Sequence, residues 1–225
     1  MAVSLAAFTR TAFLAALASA ATLAFAPAAH AARNAEAESY VQQHASAALA
    51  ALGDPALTGP QKQQTFYRLV AQFSDMPRIA LWVLGRHGAQ LRSDASLRQQ
   101  WTSVFQDFAI ATYEYRMNRY SGSALTVVNS NELTPNQVVD VTTEVTPRGQ
   151  TQTTIVRWRL NRSGQGWKVF DLQVRAQNGD TIWLGQLQQQ DFLAELGSNG
   201  GDIRALMSRI QTQTNSMRQR VAARG

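Results

Sequence analysis

The sequence predicts an α+β fold in which an antiparallel sheet of four to five strands packs against a helical layer. Three observations carry this. Apolar residues recur at helical spacing through the first half of the chain, strand-like runs then succeed one another without an intervening helix, and the turns between those runs have hairpin spacing. Helices grouped before strands mark α+β, because parallel strands would have to alternate with their crossover helices.

The first helix is expected over Ala35 to Leu52, an Ala/Gln/Glu-rich stretch with Tyr40, Val41, Ala48, Leu49 and Leu52 as its apolar positions, ended by Gly53-Asp54-Pro55. A second runs from about Pro60 to Phe73 with the stripe Phe66, Leu69, Val70 and Phe73. Pro77 opens a short third helix whose segment Ile79 to Leu84 is apolar nearly all round, and Gly85 ends it. The fourth is the longest, from a Ser93 cap to about Tyr120. Leu97, Trp101, Val104, Phe105, Phe108 and Tyr115 form its broad face, and Tyr113, Met117 and Tyr120 form a second stripe. Two apolar sides need two partners, which places this helix between the sheet and other helices.

Four strands are expected at Leu125–Asn129, Val138–Thr146, Thr153–Leu160 and Trp167–Val174. In the third, Val156, Trp158 and Leu160 share one face while Ile155, Arg157 and Arg159 take the other, so one face is covered and the other wet. Pro147-Arg148-Gly149 and Asn161-Arg162-Ser163-Gly164 supply the turns of a meander. Ile182 to Leu196 and Asp202 to Met217 again read as helices, separated by the glycine-rich loop 197–201, with a basic tail at the end.

The opening thirty-one residues carry Arg10 ahead of an apolar Ala/Leu/Phe run that closes on Ala29-His30-Ala31, the pattern of a cleaved secretory signal. The run from Ala12 to Ala26 falls short of the roughly 18 apolar residues a membrane span needs. The expected domains are therefore a signal over 1–31 and one domain over 32–225, helical over 34–120, a sheet over 123–176 and C-terminal helices over 181–217. The chain has no cysteine, which excludes disulfides and a cysteine-linked lipid anchor. Its net charge of +6 comes almost entirely from arginine, with Lys62 and Lys168 the two lysines, and favours anionic partners. An exported chain meets phospholipid head groups and membrane surfaces rather than nucleic acid.

Catalytic chemistry finds little support. His44 and His87 are the histidines beyond the signal, and a zinc site would need both together with carboxylates from distant segments. Gly197-Ser198-Asn199-Gly200-Gly201 has asparagine where a nucleophile elbow has serine. Asp140 and Glu144 lie on the strand face expected to be solvated. Asp171, flanked by Trp167, Val169 and Gln173 at alternate positions, reads as a structural acid pairing an arginine. No metal, cofactor or catalytic residue is expected.

Two blocks add a resemblance. Phe66-Tyr67-Arg68, Phe73-Ser74-Asp75-Met76-Pro77-Arg78-Ile79-Ala80, Val83-Leu84-Gly85-Arg86, Thr112-Tyr113-Glu114-Tyr115-Arg116 and Tyr120-Ser121-Gly122 form the first. Val138 to Val145, Pro147-Arg148-Gly149-Gln150, Trp158-Arg159-Leu160 and Gly166-Trp167-Lys168-Val169-Phe170-Asp171 form the second. In this order they resemble the MlaC family of periplasmic phospholipid carriers, also called toluene-tolerance auxiliary proteins. Asp54-Pro55-Ala56-Leu57 looks closer to the branch associated with hopanoid-producing bacteria. The chain departs from the family pattern at His87-Gly88, at Trp101, and over Arg175 to Leu184, which carries extra residues.

The resemblance implies an NTF2-like sheet with a helical extension, enclosing an apolar cavity that takes acyl chains while the head group stays near solvent. The implied partners are a phospholipid, an inner-membrane ABC lipid transporter complex, an outer-membrane lipoprotein complex and, transiently, the membrane surface. The alternatives are a carrier for a hopanoid or other polycyclic lipid, and an NTF2-like periplasmic enzyme. Leaving half of roughly 30 acyl methylenes in water would cost on the order of 10 kcal/mol at ~0.8 kcal/mol each, so a carrier must enclose most of both chains. The residues expected to line the cavity are Ile79, Val83, Phe105, Phe108, Tyr115, Val156, Trp158 and Phe170, with Arg86 and Arg116 expected at the head group or a docking surface.

Overall fold

A computed structural model describes residues 33–117, 120–175 and 179–223, apart from the Met117 side chain. The expected signal over 1–31 and the end of the basic tail lie outside them. Helices α1 (Ala35–Gly53), α2 (Gly59–Phe73), α3 (Met76–Trp82), a 3-10 turn (Gly85–Ala89), α4 (Gln90–Ser93) and α5 (Ala95–Met117) precede the sheet. Strands β1 (Ala124–Thr134), β2 (Val138–Thr146), β3 (Thr154–Ser163), β4 (Gly166–Arg175) and β5 (Thr181–Trp183) come next, then α6 (Leu184–Ser198) and α7 (Ile203–Ala222). The sheet is a five-stranded antiparallel meander in sequence order. The α+β expectation holds.

The starts of α1 and α5 are fixed by side-chain caps. Asn34 Oδ1 accepts from Ala37 N at 2.9 Å while the Asn34 backbone N donates to Ser130 Oγ at 2.8 Å, tying α1 to the edge strand β1. Asp94 rather than Ser93 caps α5, its Oδ1 accepting from Leu97 N at 2.8 Å. The carboxylate suits the positive end of a long helix better than a hydroxyl.

Small residues let α1 approach closely. Ala37, Ala45 and Ala48 alternate with Val41 and Leu49 on its buried side. At its end a Cβ on Gly53 would stand 2.5 Å from Gly122 Cα, and Gly122 N donates to Leu49 O at 3.1 Å. Gly122 itself takes φ +67°, a conformation open to glycine at little cost. The link from α2 to α3 is stitched to the sheet, with Asp75 N donating to Val169 O at 3.0 Å.

The structure also differs from the sequence expectation in the packing of α5 and at the start of α6. α5 packs chiefly against α7, α3 and α2, and α1, α2, α3 and α6 are the helices seated on strands. So α5 is not sandwiched on the sheet, because its sheet-facing side is where a cleft opens. Thr181–Trp183 is a fifth strand rather than the start of a helix, pairing Gln173 with Trp183 and Val174 with Ile182. A three-residue strand has too few positions to show alternation.

Candidate functional site

The covered face of the sheet divides along its strands. On β3, Leu160 faces Val139 on one neighbour and Val169 on the other, and all three are buried beneath the N-terminal helices. Four residues earlier on the same face, Val156 pairs with Thr143 and Val174 and is only half-buried. Trp158 lies between them, 2 % exposed, with Nε1 donating to Thr143 Oγ1 at 2.8 Å and its ring 6.0 Å from that of Phe73. Past Trp158 the helices stand away from the sheet and leave a cleft of about 1140 Å³.

Its floor is the sheet, through Val145, Val156, Trp158, Leu172, Val174 and Ile182. Phe108, Thr112, Tyr113, Tyr115 and Arg116 of α5 form one wall. Leu184, Gln188, Asp191, Ala194 and Glu195 of α6 and Arg209, Gln213 and Arg220 of α7 form the rest. The floor is apolar and the far walls are polar. Arg116, Arg175 and Arg220 are exposed where the cleft meets solvent, and Arg209 pairs with Glu195. An apolar floor with exposed guanidinium groups among the lining suits an amphiphile with an anionic end.

A bulge in β4 positions α6 over this slot. Arg159 pairs with Asp171 and Leu160 with Val169, leaving Phe170 as the extra residue. Beside the bulge Asp171 is buried, and its Oδ1 accepts from Leu172 N and from Gly185 N, both at 2.7 Å. A carboxylate is thereby placed at the first turn of α6. Gly185 is required there, since a Cβ would meet Asp171 Oδ1 at 2.9 Å and the Trp82 ring at 3.0 Å. Burial pushes the Asp171 carboxyl up, opposed by those backbone donors and by the Arg159 charge. Burial likewise pushes the Tyr113 phenol up, reinforced by the nearby Asp171 charge.

Asp140 overturns one expectation. Its face of β2 is expected to be solvated, yet the residue is buried, because Arg159, directly opposite on β3, makes a two-point contact with both carboxylate oxygens at 2.9 Å. Arg159 in turn lies 4.1 Å from the Trp183 ring centre, so the back of the sheet carries its own stack of paired groups. The structural arginine partner expected for Asp171 is thus taken chiefly by Asp140, and Asp171 is held mainly by backbone N–H groups.

Of the residues expected to line a cavity, Phe108, Tyr115, Val156 and Trp158 meet in the cleft, joined by Arg116. Ile79, Val83 and Phe105 surround a separate small cavity beneath α6, and Phe170 lines another between the N-terminal helices and the sheet. Arg86 sits on the exposed 3-10 turn, its Nε 3.4 Å from His87 Nε2, away from the cleft. His44 stacks near Tyr40 and Phe73 on α1, also away from it. Sequence reasoning misses Ile182 and the cleft sides of α6 and α7. Their lining residues are largely polar, so no apolar stripe announces them. Among the described residues no three His, Cys, Asp or Glu side chains gather in a way that could hold a metal ion, and no helix is long and apolar enough to cross a membrane.

Comparison with known proteins gives two findings. The family model described as MlaC protein matches residues 42–212. Among solved structures, the phospholipid-binding protein from Ralstonia solanacearum, determined in complex with a phospholipid, is similar in fold: TM-score 0.68, 20 % sequence identity, 81 % of this chain and 99 % of that one covered. No curated protein matches this sequence.

Proposed function

The chain belongs to the MlaC family, whose model spans most of its length, and on that premise we propose that it is a periplasmic phospholipid carrier, exported by cleavage of residues 1–31. It passes lipid between an inner-membrane ABC transporter complex and an outer-membrane lipoprotein complex. The observation that carries the reading is the cleft itself. At ~30 Å³ for a group the size of one liquid water, 1140 Å³ takes on the order of 40 methylene-sized groups, enough for two acyl chains. The apolar floor receives the chains, and Arg116, Arg175 and Arg220 stand where a phosphodiester would emerge.

Transfer needs no chemical step. A lipid leaving a bilayer for this slot exchanges one apolar surrounding for another, so the free-energy change is small and direction is set by partners that bind the loaded or empty form differently. The similar Ralstonia protein, solved with a phospholipid bound, supports the same ligand class.

The test is native mass spectrometry of the protein purified without detergent from a membrane-containing host, then extraction of whatever is bound. The expected result is a mass increment of a two-chain phospholipid. A bound polycyclic lipid would replace the ligand assignment, and a ligand-free mass with no uptake from labelled vesicles would overturn the carrier reading.

A further inference from the structure

The cleft does not end at solid core. Beyond it lie two small cavities, one of about 20 Å³ lined by Phe66, Val70, Phe73 and Val169, the other of about 60 Å³ with Ile79, Val83, Phe105 and Leu184 on its apolar side. The first is lined almost wholly by apolar side chains and belongs to the interior, whereas the second has a polar side formed by Thr112, Arg116, Gln188 and Asp191. Tyr113, on α5, lines both of them and the cleft as well. Among the described residues it is the one that borders all three of these spaces, so its ring stands where they meet.

Its neighbours suit that position. Phe108, one and a half turns earlier on α5, lines the cleft and the cavity beneath α6. Trp158 and Leu172 line the cleft and the cavity beneath the N-terminal helices. The passage toward the smaller cavity is therefore apolar, the one beneath α6 is bordered also by Thr112, Arg116, Gln188 and Asp191, and Tyr113 borders both.

We infer that Tyr113 sets the length of acyl chain this protein accepts, its ring forming the end wall against which the chain terminus stops. The inference rests on the lipid-carrier reading. A chain longer than the cleft must either leave terminal methylenes in water or displace the ring into one of the side cavities. Removing the ring extends the cleft toward the side cavities, and enlarging it shortens the slot.

The experiment offers the protein vesicles containing equal amounts of short-, medium- and long-chain phosphatidylglycerol and identifies the captured species by mass spectrometry. Tyr113→Ala shifts capture toward long chains, by about fourfold for each terminal methylene that wild type leaves in water and the variant encloses, the ratio that ~0.8 kcal/mol per buried methylene gives. Tyr113→Trp shifts capture toward short chains. The two shifts are read independently, so either variant decides the matter if the other fails to fold. A wild-type distribution in the alanine or tryptophan variant overturns the inference while leaving the carrier reading intact. Capture of no lipid by wild type overturns both.

Discussion

Leu160 and Val156 stand on one strand, on one face, four residues apart, and the molecule treats them in opposite ways. Leu160 is fully buried between Val139 and Val169 beneath the N-terminal helices. Val156 looks into a cleft of about 1140 Å³. The cross-strand neighbours are similar, Val139 and Val169 in one case, Thr143 and Val174 in the other. What differs is the helical cover. α1 uses alanines and Gly53 to approach closely, whereas α6 is anchored at its start by Asp171 and α5 leans on α7, so neither closes over the far half. A sheet with one chemistry thus builds a core at one end and a receptacle at the other.

The largest effect expected from this contrast is on stability. Leu160→Ala should cost about 2–5 kcal/mol, because the cavity it leaves cannot collapse under packed helices. Urea unfolding would show it, while lipid capture by the folded protein stays at the wild-type level. A cost below 1 kcal/mol would mean that the closed half is looser than its burial suggests.

Asp171 joins the two halves. Asp171→Ala leaves the buried N–H groups of Leu172 and Gly185 without their acceptor, at about 1–3 kcal/mol. The loss should be concentrated at the start of α6 and visible as faster hydrogen exchange of its first amides. Uniform exchange changes across the domain would contradict a local anchoring role.

A smaller effect lies inside the helical layer. Glu114 is 3 % exposed, with Oε2 accepting from Gln63 Nε2 at 3.1 Å. Burial raises its carboxyl above the ordinary 4.5, with Gln63 and the Arg218 charge pulling the other way. The folded state therefore holds this proton more tightly than the unfolded chain does. Its contribution favours folding below the ordinary carboxylate range and is lost as pH rises through the folded value, leaving a cost at neutral pH. Glu114→Gln should raise neutral-pH stability by up to about 1 kcal/mol and remove this part of the slope above pH 4.5. A variant less stable at pH 7 would show that the charge is better compensated than its surroundings imply.

Much of this is legible in the chain. The stripe Phe66, Val70 and Phe73 is buried on α2, and the alternation of Val156, Trp158 and Leu160 marks the covered face, since spacing of three to four or of two residues maps directly onto one side of a helix or strand. Tyr115, Val156 and Trp158 are identifiable as lining because they lie on those faces. Asp140 is not, because its burial depends on Arg159 opposite it, nineteen residues away in sequence. The cleft walls on α6 and α7 are not, because they carry Gln188, Asp191 and Gln213, the residue types of any solvated helix. The bulge at Phe170 is hidden for a related reason. One inserted residue reverses the face of every later position on its strand, and strand alternation alone does not reveal where it falls.

The most direct test of the central claim uses two adjacent residues of β3 that point to opposite faces. Val156 lines the cleft, and Ile155 is 48 % exposed on the back of the sheet. Val156→Asp places a charge on the floor where acyl chains would lie, and Ile155→Asp places the same charge in water. Capture of labelled phospholipid from vesicles should be lost in Val156→Asp and unchanged in Ile155→Asp, with both proteins folded by circular dichroism. Equal capture by the two variants would contradict the assignment of the open half of the sheet as the lipid site.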